Sequence, residues 1–142
     1  MKILGVDFGT KRIGLALSDD GGSLAFPESI ISNDKSTIEE LRKLIEKYSI
    51  KEIVVGLPTI DKEEDTTATE GAKNFAKKME EEFGLPVHMM DERFSSHNIF
   101  TDKVGKESLH ARKQKMVKPV DIDAQAAALI LQRYLDSRKL RQ

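Results

Sequence analysis

The sequence predicts an α/β fold, a mixed five-stranded sheet flanked by helices, from two observations. Lys2 to Asp7 and Arg12 to Ser18 are short aliphatic runs separated by Phe8-Gly9-Thr10-Lys11, the pattern of a hairpin with a glycine in its turn. Further along, extended apolar segments alternate with segments whose apolar residues recur every three or four positions. Antiparallel strands followed by alternating strand and helix require a sheet of mixed pairing with helices covering its faces. The 142 residues suit a single domain spanning positions 1–142.

The elements follow in order. Asp19-Asp20-Gly21-Gly22 signals a turn after the hairpin, and Leu24 to Ile31 is a third extended stretch in which Pro27 marks an edge or a bulge. Ser32-Asn33-Asp34 offers oxygens for an N-cap, ahead of a helix over Ser36 to Tyr48 carrying Ile38, Leu41, Leu44, Ile45 and Tyr48 on one face. Glu52 to Leu57 reads as a buried strand stopped by Pro58, and the charged stretch Thr59 to Thr66 as a loop. Ala68, Ala72, Phe75, Ala76, Met79 and Phe83 define the apolar face of a second helix, with Gly84 at its C-terminal cap. Pro86 to Met90 is a short strand leading into Asp91-Glu92-Arg93. A helix around Ser96 to Val104 and a basic loop come next, and a last helix starts near Asp121 or Asp123.

Composition narrows the chemistry. No cysteine is present, which removes disulfides, thiolate zinc sites and thiol catalysis together. Lys2 to Asp7 meets a carboxylate too early for the apolar core of a signal peptide, and no apolar run approaches the roughly 18 residues of a membrane span. The expected location is the cytoplasm, with no membrane partner. The net charge of −1 conceals a basic segment, Lys103, Lys106, Arg112, Lys113, Lys115 and Lys118, set against Glu107 alone. That segment is either a solvated loop or a surface that meets phosphates.

Asp7 is the most informative residue. It closes an otherwise apolar strand, and in sheets flanked by helices ligands gather beyond the strand ends. Gly9 beside it permits close backbone approach, Thr10 adds a hydroxyl, and Lys11 and Arg12 add cations. The competing reading is a turn cap, in which Asp7 accepts a backbone N–H. Asp91-Glu92-Arg93 also terminates an apolar strand, where adjacent carboxylates favour a nearby cation, although a surface Glu/Arg pair would look the same. Asp121 and Asp123 stand at a helix start, a position that Asp also takes as an ordinary cap. Together these positions suggest an oxygen-lined site for a hard cation such as Mg²⁺. His88, His97 and His110 lack metal-binding spacing, and there is no Gly-x-Ser-x-Gly nucleophile elbow.

Four segments carry a family resemblance. Leu4-Gly5-Val6-Asp7-Phe8-Gly9-Thr10-Lys11-Arg12-Ile13-Gly14-Leu15-Ala16-Leu17-Ser18-Asp19 resembles the opening signature of the YqgF family, RuvC-like proteins described as Holliday junction resolvases or as nucleases trimming the 5′ end of pre-16S ribosomal RNA. The match continues through Val54-Val55-Gly56-Leu57-Pro58, through Asp91-Glu92-Arg93, and through Asp123 ahead of Ala126 to Gln132. The resemblance implies an RNase H-like fold and phosphodiester hydrolysis dependent on Mg²⁺ or Mn²⁺. It implies Asp7, Glu92 and Asp123 as the catalytic and metal-binding triad; the neighbouring acids Asp91 and Asp121 are further ligand candidates from their position in the sequence alone. Lys11, Arg12 and Arg93 would face the scissile strand, and Lys103, Lys106, Arg112, Lys113, Lys115 and Lys118 would contact the nucleic-acid backbone. The chain departs from the family pattern where Phe94-Ser95-Ser96 replaces the usual Leu-Thr-Thr, and where Asp61 to Glu64 lacks the usual glycine.

The expected function is therefore a metal-dependent endonuclease acting on structured RNA or branched DNA, most simply in 5′-end processing of pre-16S ribosomal RNA during ribosome biogenesis. One alternative is resolution of a Holliday junction, which needs a dimer to make two opposed cuts. No long exposed apolar stripe identifies a dimer face, so a monomer or weak homodimer is expected. Asp7-Phe8-Gly9-Thr10 also resembles the phosphate loop of the actin and sugar-kinase superfamily, but those proteins clasp nucleotide between two such domains. A catalytically silent nucleic-acid-binding factor is the remaining class, since fold alone does not prove activity.

Overall fold

A computed structural model describes residues 2–57, 66–91 and 119–141, with the backbone alone at 57, 66–69, 91, 119–123 and 139–141. The expected loop before the second helix, the helix around Ser96 to Val104, the basic loop, His97 and His110 lie outside the described residues. The elements run β1 (Lys2–Asp7), β2 (Arg12–Ser18), β3 (Ala25–Ser32), α1 (Thr37–Tyr48), β4 (Ile50–Leu57), α2 (Thr66–Phe83), β5 (Val87–Asp91) and α3 (Pro119–Arg141).

The strands form one five-stranded sheet in the order β3-β2-β1-β4-β5. Pairing is antiparallel from β1 to β2 and from β2 to β3, and parallel from β1 to β4 and from β4 to β5. The first strand is thus central, where the two kinds of pairing meet. The expected mixed sheet is borne out. So is the role of Pro27: Leu15 pairs with Ser29 and Ala16 with Pro27, which leaves Glu28 as a bulge on edge strand β3.

Side-chain alternation splits the core in two. Leu4, Val6, Ile13, Leu15, Ile53 and Val55 point to the face covered by α1 and α2, where they pack with Leu41, Phe75 and Met79. Ile3, Ala16 and Val54 point to the other face and meet Ala127, Ile130, Leu131 and Leu135 of α3. None of the helices in the described residues is long and apolar enough to cross a membrane.

Helix ends differ from the sequence expectation in two places. The N-cap of α1 is Ser36, without a side-chain capping bond, so Ser32-Asn33-Asp34 does not cap it. Those residues build the approach instead. Thr37 Oγ1 donates to the Ser32 carbonyl at 2.8 Å, and Asp34 Oδ1 accepts from the Ser36 hydroxyl at 2.6 Å and the Ser36 N–H at 2.8 Å. The Ser36 hydroxyl first, then its N–H, hold the Asp34 carboxyl below the ordinary carboxylate range. The second difference is α3, which begins at Pro119 rather than near Asp121 or Asp123. Proline fits the first turn of a helix, because its missing N–H would have no partner there. Both aspartates therefore lie inside the helix, and neither is its N-cap. Gly84 does end α2 as expected, with φ +64° and its N–H donating to the Glu80 carbonyl at 2.9 Å.

The C-terminal half of α3 is fastened to the start of β4. Tyr134 donates its hydroxyl to Glu52 Oε2 at 2.9 Å, its ring stacks on His88 at 5.2 Å between centroids, and Arg138 reaches Glu52 Oε1 at 3.5 Å. Tyr134→Phe removes the hydroxyl donor and leaves the stack. It is expected to lower stability by about 1.5 kcal/mol in urea unfolding, the lower end for a hydrogen bond to a charged acceptor; an unchanged midpoint would show that the bond contributes nothing.

Candidate active site

Three contacts fix how α3 lies on the sheet. Tyr134 meets Glu52, whose register partner in β1 is Ile3. Two residues further along β1, a Cβ at Gly5 would stand 2.8 Å from Leu131 Cβ and 3.0 Å from the Ala127 carbonyl oxygen. The helix therefore runs antiparallel to β1, and its N-terminus points toward the end of the strand that carries Asp7. From Gly5 to Asp7 is a step of about 6.6 Å along a strand. At about 1.5 Å per helical residue, the same step from Ala127 and Leu131 reaches roughly positions 123–127 of α3.

Asp7 is half-buried and alternates to the α3 face, since Val6 before it is buried against the α1 and α2 side. Its register partners are Gly14 in β2 and Gly56 in β4. Neither neighbouring strand offers a side chain at its level, so the carboxylate has lateral room on the face where α3 begins. Leu57 pairs with Asp91, one residue past that level and two strands away, a backbone separation of about 10 Å at the usual strand spacing.

The turn after Asp7 is pinned from both sides. Phe8 alternates to the opposite face, where its ring lies 5.1 Å from that of Phe75 and against Gly71 of α2, at which a Cβ would approach within 3.1 Å. Gly9 is required by close approach, because a Cβ there would sit 2.3 Å from the Arg12 carbonyl oxygen. Asn33, at the exit of β3, donates its side-chain Nδ2 to the Gly9 carbonyl at 2.8 Å and its backbone N–H to the Lys11 carbonyl at 2.9 Å. Thr10, Lys11 and Arg12 are exposed on this held turn.

Of the residues expected at the site, Asp7, Lys11 and Arg12 are described with their side chains and stand together at one end of the sheet. Asp91 closes β5 at the same end, and the backbone at Asp121 and Asp123 belongs to the first turns of α3. Glu92, Arg93, Lys103, Lys106, Arg112, Lys113, Lys115 and Lys118 lie outside the described residues. Among the described residues no three acidic or imidazole groups converge on one point. The chemistry of the donor set nevertheless fits a hard cation: Asp7 offers half-buried carboxylate oxygens, and its register partners Gly14 and Gly56 carry no side chain. The residue that sequence reasoning missed is Asn33. A contact spanning 24 positions leaves no local signal, and Asn before a helix reads as a cap.

Comparisons with known proteins give the chain's family and its fold. A relative from Maridesulfovibrio salexigens, named "Putative pre-16S rRNA nuclease", is 39% identical over 137 residues, covering 95% of this chain and 98% of its own. One of the same name from Koribacter versatilis is 42% identical over 139 residues, covering 96% and 88%. Among solved structures, Thermus thermophilus RuvC in complex with a Holliday junction substrate superposes with a TM-score of 0.62 at 15% identity, covering 98% of this chain and 96% of that one. At that identity it speaks for the fold, which is RNase H-like. The family model described as RuvX, Holliday junction resolvase, matches residues 1–137, and the chain belongs to this family of resolvase-like nucleases.

Proposed function

We propose that this nuclease hydrolyses RNA in the 5′-end processing of pre-16S ribosomal RNA in the cytoplasm, with Asp7, Glu92 and Asp123 as its acidic triad and Mg²⁺ or Mn²⁺ as its cofactor. The observation that carries the reading is the position of Asp7, closing the central strand between two glycines on the face toward which α3 directs its first turns. Glu92 is favoured over Asp91 because the family resemblance at Asp91-Glu92-Arg93 assigns the triad carboxylate to Glu92. Asp123 is favoured over Asp121 because the family resemblance places the acid at the position ahead of Ala126 to Gln132.

In this reading Asp7, Glu92 and Asp123 hold the cation. When bound, it supplies a strong nucleophile from water at neutral pH and offsets charge on the leaving 3′ oxygen. The chain's own cations have a separate task. Lys11, Arg12 and Arg93 bind the phosphates on either side of the scissile bond, and the Lys103 to Lys118 segment extends the contact along the backbone. The relatives named for pre-16S RNA favour RNA as the substrate. The family description favours a second reading, cleavage of a Holliday junction, whose two opposed cuts would need a dimer.

A direct comparison of substrates separates the two. A labelled pre-16S leader RNA and a branched DNA are incubated with Mg²⁺, Mn²⁺ or EDTA, and the products and molecular mass are followed. Cleavage of the RNA by a monomer, abolished by EDTA, is expected. Paired cuts in the branched DNA by a dimer, with the RNA intact, would replace this reading with the second.

A further inference from the structure

We infer that Asn33 is a positioning residue of this nuclease, locking the turn after Asp7 so that Lys11 and Arg12 meet substrate phosphates from a rigid frame. The inference rests on the nuclease reading above. Surface turns normally direct their carbonyls into water at no cost. Here one side chain takes up the Gly9 carbonyl at 2.8 Å, and the same residue's N–H takes up the Lys11 carbonyl at 2.9 Å. Asn33 itself is half-buried and contributes no cap to α1. The turn it holds is already tight, with Gly9 folded against the Arg12 carbonyl and Phe8 anchored on α2. What projects from this held backbone is exposed and cationic, and it begins immediately after the carboxylate.

Preorganisation is the physical gain. Lysine and arginine lose side-chain freedom when they grip a phosphate, and a turn that also had to become ordered would add to that loss. Strand β2 provides an internal control at its other end. There Gln132 of α3 accepts the Ala25 N–H at 2.9 Å and donates to the Ser23 carbonyl at 3.0 Å, holding the β2–β3 turn. That clamp is comparable in kind, but it sits at the end of β2 away from Asp7.

The test compares Asn33→Ala and Asn33→Asp with Gln132→Ala in the full chain. Both Asn33 variants lose the donor to Gly9, and the second keeps the size of the side chain. Binding of a fluorescein-labelled single-stranded RNA is measured in EDTA between about 50 and 200 mM salt, so that it is read without cleavage. Cleavage at saturating and at limiting RNA is measured separately with Mg²⁺. The Asn33 variants are expected to bind about three- to tenfold more weakly. Their log–log salt dependence should be shallower by up to about 1.4, the value for two single-strand phosphate contacts. KM rises while kcat changes little. Gln132→Ala melts at a similarly reduced temperature and keeps the wild-type salt slope. If the Asn33 variants retain the wild-type slope and KM, or if Gln132→Ala shifts both equally, Asn33 is a structural residue only and the proposal is overturned. If wild type itself binds no RNA, the nuclease reading fails and this proposal fails with it.

Discussion

Asp7→Asn is expected to reduce RNA cleavage at least about a thousandfold, some 4 kcal/mol of activation barrier, while the protein remains folded. The change keeps the shape of the side chain and removes its charge, and with it the best oxygen donor for a divalent cation. Because Asp7 stands between Gly14 and Gly56, no neighbouring strand side chain at its level can take over the role. A second measurement reads metal binding without activity. A cation that binds the folded state alone raises the melting temperature as its concentration rises. Wild type is expected to show this increase with Mg²⁺, and Asp7→Asn to lose most of it. Equal cleavage by the two proteins, or an unchanged Mg²⁺ effect on melting, would remove Asp7 from the site.

The second large effect is expected at Gly5. Gly5→Ala places a methyl group 2.8 Å from Leu131 Cβ and 3.0 Å from the Ala127 carbonyl oxygen, closer than such atoms pack. Neither atom is the far end of a flexible side chain, so the helix backbone must move away from the sheet. Overpacking of this kind costs about 1–3 kcal/mol. For a chain of this size that lowers the melting temperature by roughly 3–10 °C. If Asp123 belongs to the proposed triad, activity should fall further than stability does, because the displaced helix carries its backbone. A misplacement of about 1 Å at a reacting centre can cost a hundredfold. Gly21→Ala is the matched control, since a Cβ at Gly21 would meet nothing within 4 Å. If Gly5→Ala melts like Gly21→Ala and cleaves RNA normally, close seating of α3 is not what assembles the site.

Much of this was legible in the chain itself. The aliphatic runs before Asp7 and after Lys11 give a hairpin, and the 3.6-residue spacing of Leu41, Leu44, Ile45 and Tyr48 gives α1, because both periods follow from local geometry. Pro27 marked the edge strand for the same reason, through its missing N–H. The start of α3 was misread because an aspartate near a helix start resembles a cap, whereas Pro119 was the better signal. The role of Asn33 and the need for glycine at position 5 could not be read locally. Each depends on a partner far away in sequence, the Gly9 carbonyl in one case and Leu131 in the other.

The placement of α3 also bears on how the protein is made. The sheet face holding Ile3, Ala16 and Val54 has its cover in a helix encoded more than a hundred positions after β1. At synthesis rates of roughly 5–20 residues per second, the hairpin emerges several seconds before that helix. During this interval α1 and α2 can already settle on their side, but the other side of the growing chain stays apolar and open. Among the described residues, that face of the growing chain therefore gains its cover only when α3 arrives.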